Sequence, residues 1–178
     1  MGANFKPAFE ATMRSEGGYV DDPLDPGGET YRGVARKFHS KWEGWSTIDA
    51  MKKRTNFPRN LDQDAALQAQ IQDFYKHQVW DKVRGDEIEN QDIAESIFDF
   101  AVNAGIGASV TLAQTASGAT ADGVMGPGTL AAINKQEPKT FLALFALHKI
   151  ARYVHIVEKR PDSRMFFYGW VKRTLEGA

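Results

Sequence analysis

Apolar residues recur along the chain at helical intervals. Phe5, Phe9 and Met13 stand every fourth residue and define one buried stripe, on a helix that Gly17-Gly18 should end. Between Asn60 and Trp80, Leu67, Ile71, Phe74, Tyr75 and Val79 keep helical spacing, with Asp62 placed to cap the start. Ile93-Ala94, Ile97-Phe98 and Ala101-Val102 form a doubled stripe, wide enough for a helix buried over much of its circumference. Gly105 and Gly107 close it, and a small-residue helix follows from Ser109 to Ser117. Asp122-Gly123 makes a turn, Pro127 suits a first helical turn, and Leu130 and Ile133 point inward from it. A long helix from Pro138 to about Lys159 carries Phe141, Leu144, Phe145, His148, Ala151 and Val154. Pro161 breaks it, and a last helix from Ser163 presents Phe166, Phe167, Trp170 and Val171. Period-two alternation is missing, apart from a short β-hairpin that the loop after the first helix could build. The fold class is mainly α.

Composition narrows this picture. A chain of 178 residues with 42% hydrophobic and 11% aromatic residues can bury one core, as one domain or as a domain with a closely packed appendage. A formal net charge of −1 argues against nucleic acid as a partner. The average hides a gradient: His148–Ala178 holds seven Lys/Arg against three Asp/Glu, and Asp81–Asp99 holds seven acids against two bases. Solvated helix faces account for both runs. With no cysteine, disulfides, thiolate nucleophiles and Cys-based zinc sites are excluded. The N-terminus MGANFKPAF lacks the apolar run of a secretory signal, and no segment reads as the roughly 20 apolar residues of a membrane helix. The expectation is a monomer made in the cytoplasm without a signal peptide or stable membrane insertion.

The chemistry concentrates in RSEGGYVDDPLDPGGETYRGV, Arg14 to Val34. Glu16 stands near a helix C-terminus, where the dipole disfavours a further negative charge, so a protonated acid able to serve a leaving oxygen is favoured. An exposed glutamate at a fraying end would look the same. Asp25 follows on a segment stiffened by Pro23 and Pro26, and Gly27-Gly28 permits a sharp reversal. Such a loop can fold back and fix a second carboxylate opposite the first, the pairing that glycosidic cleavage uses. Thr30 can hold a water by its hydroxyl or cap a following element. Asp21, Asp22 and Asp25 can equally be turn caps.

Other signals are weaker. Asn103 in FDFAVNAG could reach a sugar's N-acetyl group or cap a helix end. Tyr19, Tyr31, Trp42 and Trp45 could stack on sugar rings, or belong to the core and its rim. Pro23 and Pro26 break the calcium-loop pattern, and GIGASV follows a helix, so it is no dinucleotide fingerprint. The four histidines lack zinc-type pairing, and there is no G-x-S-x-G elbow. Neither metal nor cofactor is expected.

The run EGGYVDDPLDPGGETYRGV resembles the signature of the glycoside hydrolase family 108 muramidases, which include phage endolysins and bacterial secretion activators. ADGVMGPGTLAAI and YGWVKRT resemble the peptidoglycan-binding segment that accompanies it. The resemblance runs from about Phe5 to Thr174 and implies a lysozyme-like helical fold that cleaves the β-1,4 bond between N-acetylmuramic acid and N-acetylglucosamine. It implies Glu16 as the catalytic glutamate and a peptidoglycan glycan strand as partner, so that the protein acts on the cell wall or in the periplasm. Phage-type lysozymes carry Glu, Asp and Thr in one order, which Glu16, Asp25 and Thr30 follow, with the gap to threonine one residue shorter. Substrate contacts are expected at Tyr19, Tyr31 and Asn103. Residues 1–105 are read as the catalytic part and 106–178 as the binding part, packed as one unit. Two alternatives remain: a lytic transglycosylase using the same glutamate, and a wall-binding module without turnover.

Overall fold

The computed structural model describes residues 2–14, 16–22 and 28–177. Helices α1 (Phe5–Met13), α3 (Ala65–Tyr75) and α4 (Gln91–Ala104) surround the first part of the core. Side chains start each of them: Asn4 accepts from Lys6 N, Asp64 from Leu67 N, and Asn90 from Ile93 N. Asp64 thus takes the capping position expected of Asp62, whose carboxylate instead binds Arg32 at 3.0 Å. α3 continues through a π-helical turn, Lys76–Trp80, which carries Val79 and Trp80 into the core. α2 (Gly44–Met51), which the apolar spacing did not reveal, buries Trp45 and Ile48.

Between α1 and α2 lies a three-stranded antiparallel sheet, β1 (Tyr19–Val20), β2 (Thr30–Tyr31) and β3 (Val34–Ala35). The β1–β2 hairpin was foreseen; β3 was not. Tyr19 pairs with Tyr31 and Val20 with Thr30, while Tyr31 also pairs with Val34. A cluster of charges ties the sheet to α2. Arg36 and Lys52 each reach Glu29 at 2.8 Å, and Arg36 also binds Asp49.

After α4, Gly105 at φ 89° reverses the chain into α5 (Ile106–Ser117), and Ser109 Oγ donates to Ile97 O at 2.7 Å across the joint. α6 (Pro127–Asn134), with proline in its first turn, sends Leu130 and Ile133 inward as expected. α7 (Pro138–Lys159) packs against α5, and α8 (Arg164–Glu176) packs back on α7. One apolar cluster runs from Ala3 through Phe98 to Phe141 and Phe145.

Two readings of α7 need correction. Its inward face is Phe141, Phe145, Ala146 and Lys149, whereas Leu144, Ala151 and Val154 face outward. α7 is also long and apolar enough to cross a membrane, with a mean hydropathy of 1.3 over its most apolar window, of which 22% is buried. Scattered basic residues conceal that length in the raw sequence.

Lys149 is only 5% exposed. Its ammonium donates to Ser96 Oγ at 2.9 Å and lies 4.5 Å from the Phe145 ring centre and 5.3 Å from that of Phe100. Burial lowers its pKa from 10.5 to about 8, with Asp99 opposing and Arg173 reinforcing the change. That penalises the charged form by about 3 kcal/mol. The folded state therefore releases this proton first, so its contribution to stability should improve as pH rises from about 8 to 10.5. Lys149→Met should remove this dependence and match or exceed wild-type stability near neutral pH, since an apolar isostere avoids the burial cost. Thermal melts across that range check it.

Candidate active site

α1 ends at Met13, with the Arg14 N–H closing on Thr12 O. Glu16 lies beyond the helix rather than on its last turn, because the chain leaves the helix before Gly17-Gly18. Side chains from distant elements, rather than the α1 dipole, define its surroundings. The Glu16 side chain is 16% exposed, and its Oε1 accepts from Arg173 Nη2 of α8 at 3.4 Å. The same Nη2 makes a shorter bond, 2.8 Å, to Asp99 Oδ1 of α4. The guanidinium thus bridges two carboxylates while favouring Asp99.

Glu16 meets the turn between β2 and β3 on its other side. Arg32 and Gly33, at φ 44° and 81°, are the two central residues of a tight hairpin whose positive dihedrals match a type I′ turn. A methyl group at Gly33 would lie 2.5 Å from the Tyr75 hydroxyl and 3.0 Å from Glu16 Oε2, so only a glycine lets the turn come this close. Tyr75 of α3 donates to Arg32 O at 2.7 Å. Burial, reinforced by the charge of Glu16, pushes the Tyr75 phenol far above its ordinary pKa, which keeps it a neutral donor. Glu16 therefore sits where the end of α1, a hairpin turn, α3 and α8 converge.

The remaining candidates scatter. Thr30 on β2 donates its hydroxyl to Gly28 O at 3.0 Å and ties down the strand's start. Tyr31 is 1% exposed, accepts from Gln68 Nε2 at 3.0 Å and stacks on Trp42, so its ring belongs to the core and is closed to a sugar. Trp45 is equally buried. Tyr19 is half-buried, with its hydroxyl donating to Glu29 Oε1 at 3.1 Å and its ring against Phe57. Asn103 is exposed in the last turn of α4, where its amide donates to Asp99 O at 2.6 Å instead of capping the helix. Asp25, with Pro23, Pro26 and Gly27, lies outside the described residues.

Glu29 is a second mostly buried carboxylate but is unsuited to acid chemistry. Burial pushes its pKa up, yet hydrogen bonds from Lys52, Arg36 and Tyr19 outweigh that and hold it below the usual carboxylate range. Its role is to anchor the sheet. Asp122 likewise serves its own turn, accepting from Gln114 Nε2 at 2.7 Å and Val124 N at 2.9 Å. Sequence spacing missed Asp99, Arg173, Tyr75 and Gly33 as site components. Tyr75 was legible only as a core position and Arg173 only as part of YGWVKRT.

The model of the glycosyl hydrolase 108 family matches residues 9–105, more than half of the chain. The chain belongs to that family. Residues 108–175 match a second model, described as a predicted peptidoglycan domain. Among solved structures the chain is similar to that of Brucella abortus SagA, at 28% identity, covering 97% of this chain and 90% of that one, with a TM-score of 0.71. No curated protein sequence matches. Family and accompanying segment together mark this glycosyl hydrolase 108 protein as a peptidoglycan hydrolase of lysozyme-like type, acting on the cell-wall polymer. Glu16 lies in the first matched region and Arg173 in the second, so the peptidoglycan segment supplies one wall of the glutamate's site.

Proposed function

We propose that the chain is an N-acetylmuramidase that hydrolyses the β-1,4 bond between N-acetylmuramic acid and N-acetylglucosamine, with Glu16 as general acid. The supporting observation is the enclosure of Glu16, a carboxyl pressed against Gly33 and Tyr75 on one side and held by Arg173 on the other. A surface glutamate with a merely solvating role needs no such enclosure. Arg173 acts as a positioning residue, keeping Glu16 in one orientation while Asp99 takes its stronger bond. Asp25 is the second carboxylate, and Thr30, at the start of β2 where it pairs with Val20, accompanies it. Residues 1–105 and 106–178 work as one compact unit across the shared core. The peptidoglycan glycan strand is the substrate.

The reaction on this reading is hydrolysis with inversion, for which carboxyl groups stand about 6.5–9.5 Å apart to admit a water. Digestion of purified peptidoglycan followed by mass spectrometry should give fragments one water heavier, ending in reducing muramic acid. Dominance of 1,6-anhydro ends would instead make the enzyme a lytic transglycosylase and remove the role given to Asp25. The initial anomer, followed by NMR during digestion, should be inverted.

A further inference from the structure

A cavity of about 730 Å³ opens beside Glu16, between the end of α1, α4, α7 and α8. Glu16 itself is absent from its lining, but Arg173, which holds it, and Asp99, which shares that guanidinium, are present. The cavity thus begins one side chain away from the proposed acid. It also lies at the seam between the two family-matched regions, since α1 and α4 belong to the first and α7 and α8 to the second.

Its walls carry hydrogen-bonding capacity that the protein leaves unused. Lys149 lines the cavity, and among the described residues its Nζ has a single acceptor, Ser96 Oγ, although an ammonium carries three donors. Arg173 Nε is buried and has no partner among the described residues. The recess mixes charge of both signs with the aromatic surface of Phe100 and Tyr153, and these two cationic donors keep N–H groups that cost free energy unless an acceptor arrives. The acceptor best matched to a buried ammonium and a guanidinium is a carboxylate, which forms charge-assisted bonds with both. The wall on α4 bears Asp92 and Glu95, which would suit an amine on the same ligand.

Bare glycan offers hydroxyls, acetamido groups and one lactyl carboxylate close to each muramic acid ring, and it has no amine for the acidic wall of the recess. The peptide attached to muramic acid has free carboxylates and, in many walls, a free amine. We propose that this cavity binds a carboxylate of the peptide carried by muramic acid, through Lys149 and Arg173, so that the enzyme prefers peptide-bearing strands to bare glycan. The inference rests on the reading of the chain as a peptidoglycan hydrolase and adds a second recognition element to it. It also connects recognition with catalysis, because the guanidinium that meets the peptide is the one that touches Glu16.

Two measurements on the full chain test it. In the first, the tripeptide L-Ala-γ-D-Glu-meso-diaminopimelate and its fully amidated form are titrated into wild-type protein by calorimetry. The tripeptide should bind, while the amidated form, which keeps the amine but lacks carboxylates, should bind at least about tenfold more weakly, a difference of about 1.4 kcal/mol. Equal affinities, or no binding by either, would overturn the proposal without a substitution that could disturb folding. In the second, kcat/KM is compared on intact peptidoglycan strands and on strands stripped of peptide. Wild type should favour the peptide-bearing strands, and Lys149→Met should bring the ratio of the two toward one. A ratio near one for wild type, or an unchanged ratio in Lys149→Met, would defeat the proposal. Tripeptide binding by a chain that cleaves neither polymer would sustain the site and reject the hydrolase reading instead.

Discussion

Replacing Glu16 with glutamine should abolish peptidoglycan cleavage and leave the thermal melt unchanged. The amide keeps the size of the side chain and can still accept from Arg173, so the junction of α1, the hairpin turn, α3 and α8 survives. What disappears is the acidic proton for the leaving oxygen, and general acid–base catalysis is typically worth about 10²–10⁴-fold. Turbidity loss of purified peptidoglycan, followed for both proteins at equal concentration, gives the answer. Activity above a tenth of wild type in a normally folded Glu16→Gln protein would remove Glu16 from the mechanism.

Gly33→Ala should be nearly as damaging, although Gly33 touches no substrate in the proposed reaction. At φ 81° an L-residue is strained, and the added methyl would stand 2.5 Å from the Tyr75 hydroxyl. Strain and overpacking together should destabilise the fold by about 1–3 kcal/mol. The turn must then retreat from Glu16, whose Oε2 the methyl would also crowd, and a shift of about 1 Å at a reacting group can cost about 10²-fold in rate. Tyr75→Phe removes the atom in closest conflict. The double variant should therefore recover stability relative to Gly33→Ala, a coupling that a double-mutant cycle measures. Additive losses would show that the contact with Tyr75 does not limit this turn.

These two residues differ in how far the chain announced them. Glu16 was legible because an amphipathic stripe, a glycine pair and a proline-stiffened acidic segment adjoin in sequence, and local patterns are what periodicity reads. Gly33 was visible as a residue of the same run, but its function depends on Tyr75, 42 positions further on. The helices α3, α4, α6 and α7 were readable from their apolar spacing and their glycine or proline punctuation. α2 escaped because Trp42 and Trp45 read equally well as sugar-stacking aromatics. Tyr31 reads as a substrate contact for the same reason: an aromatic beside an acidic loop looks alike whether it faces a groove or the core. Its burial is decided by Gln68 and Trp42, which no local pattern connects to it. The capping misassignment at Asp62 has the same origin, since Asp62 and Asp64 are both plausible caps and the hairpin residue Arg32 claims the first.

The bond between Arg173 and Glu16 joins positions 157 residues apart. A ribosome releases the glutamate first, and the arginine that orients it follows only as α8 is made. A polypeptide cut short before α8 can retain the acidic loop and most of the core, yet it lacks this clasp. On the proposed mechanism the capacity to cut wall polymer therefore waits on α8, and fragments that stop short of it would be poor catalysts.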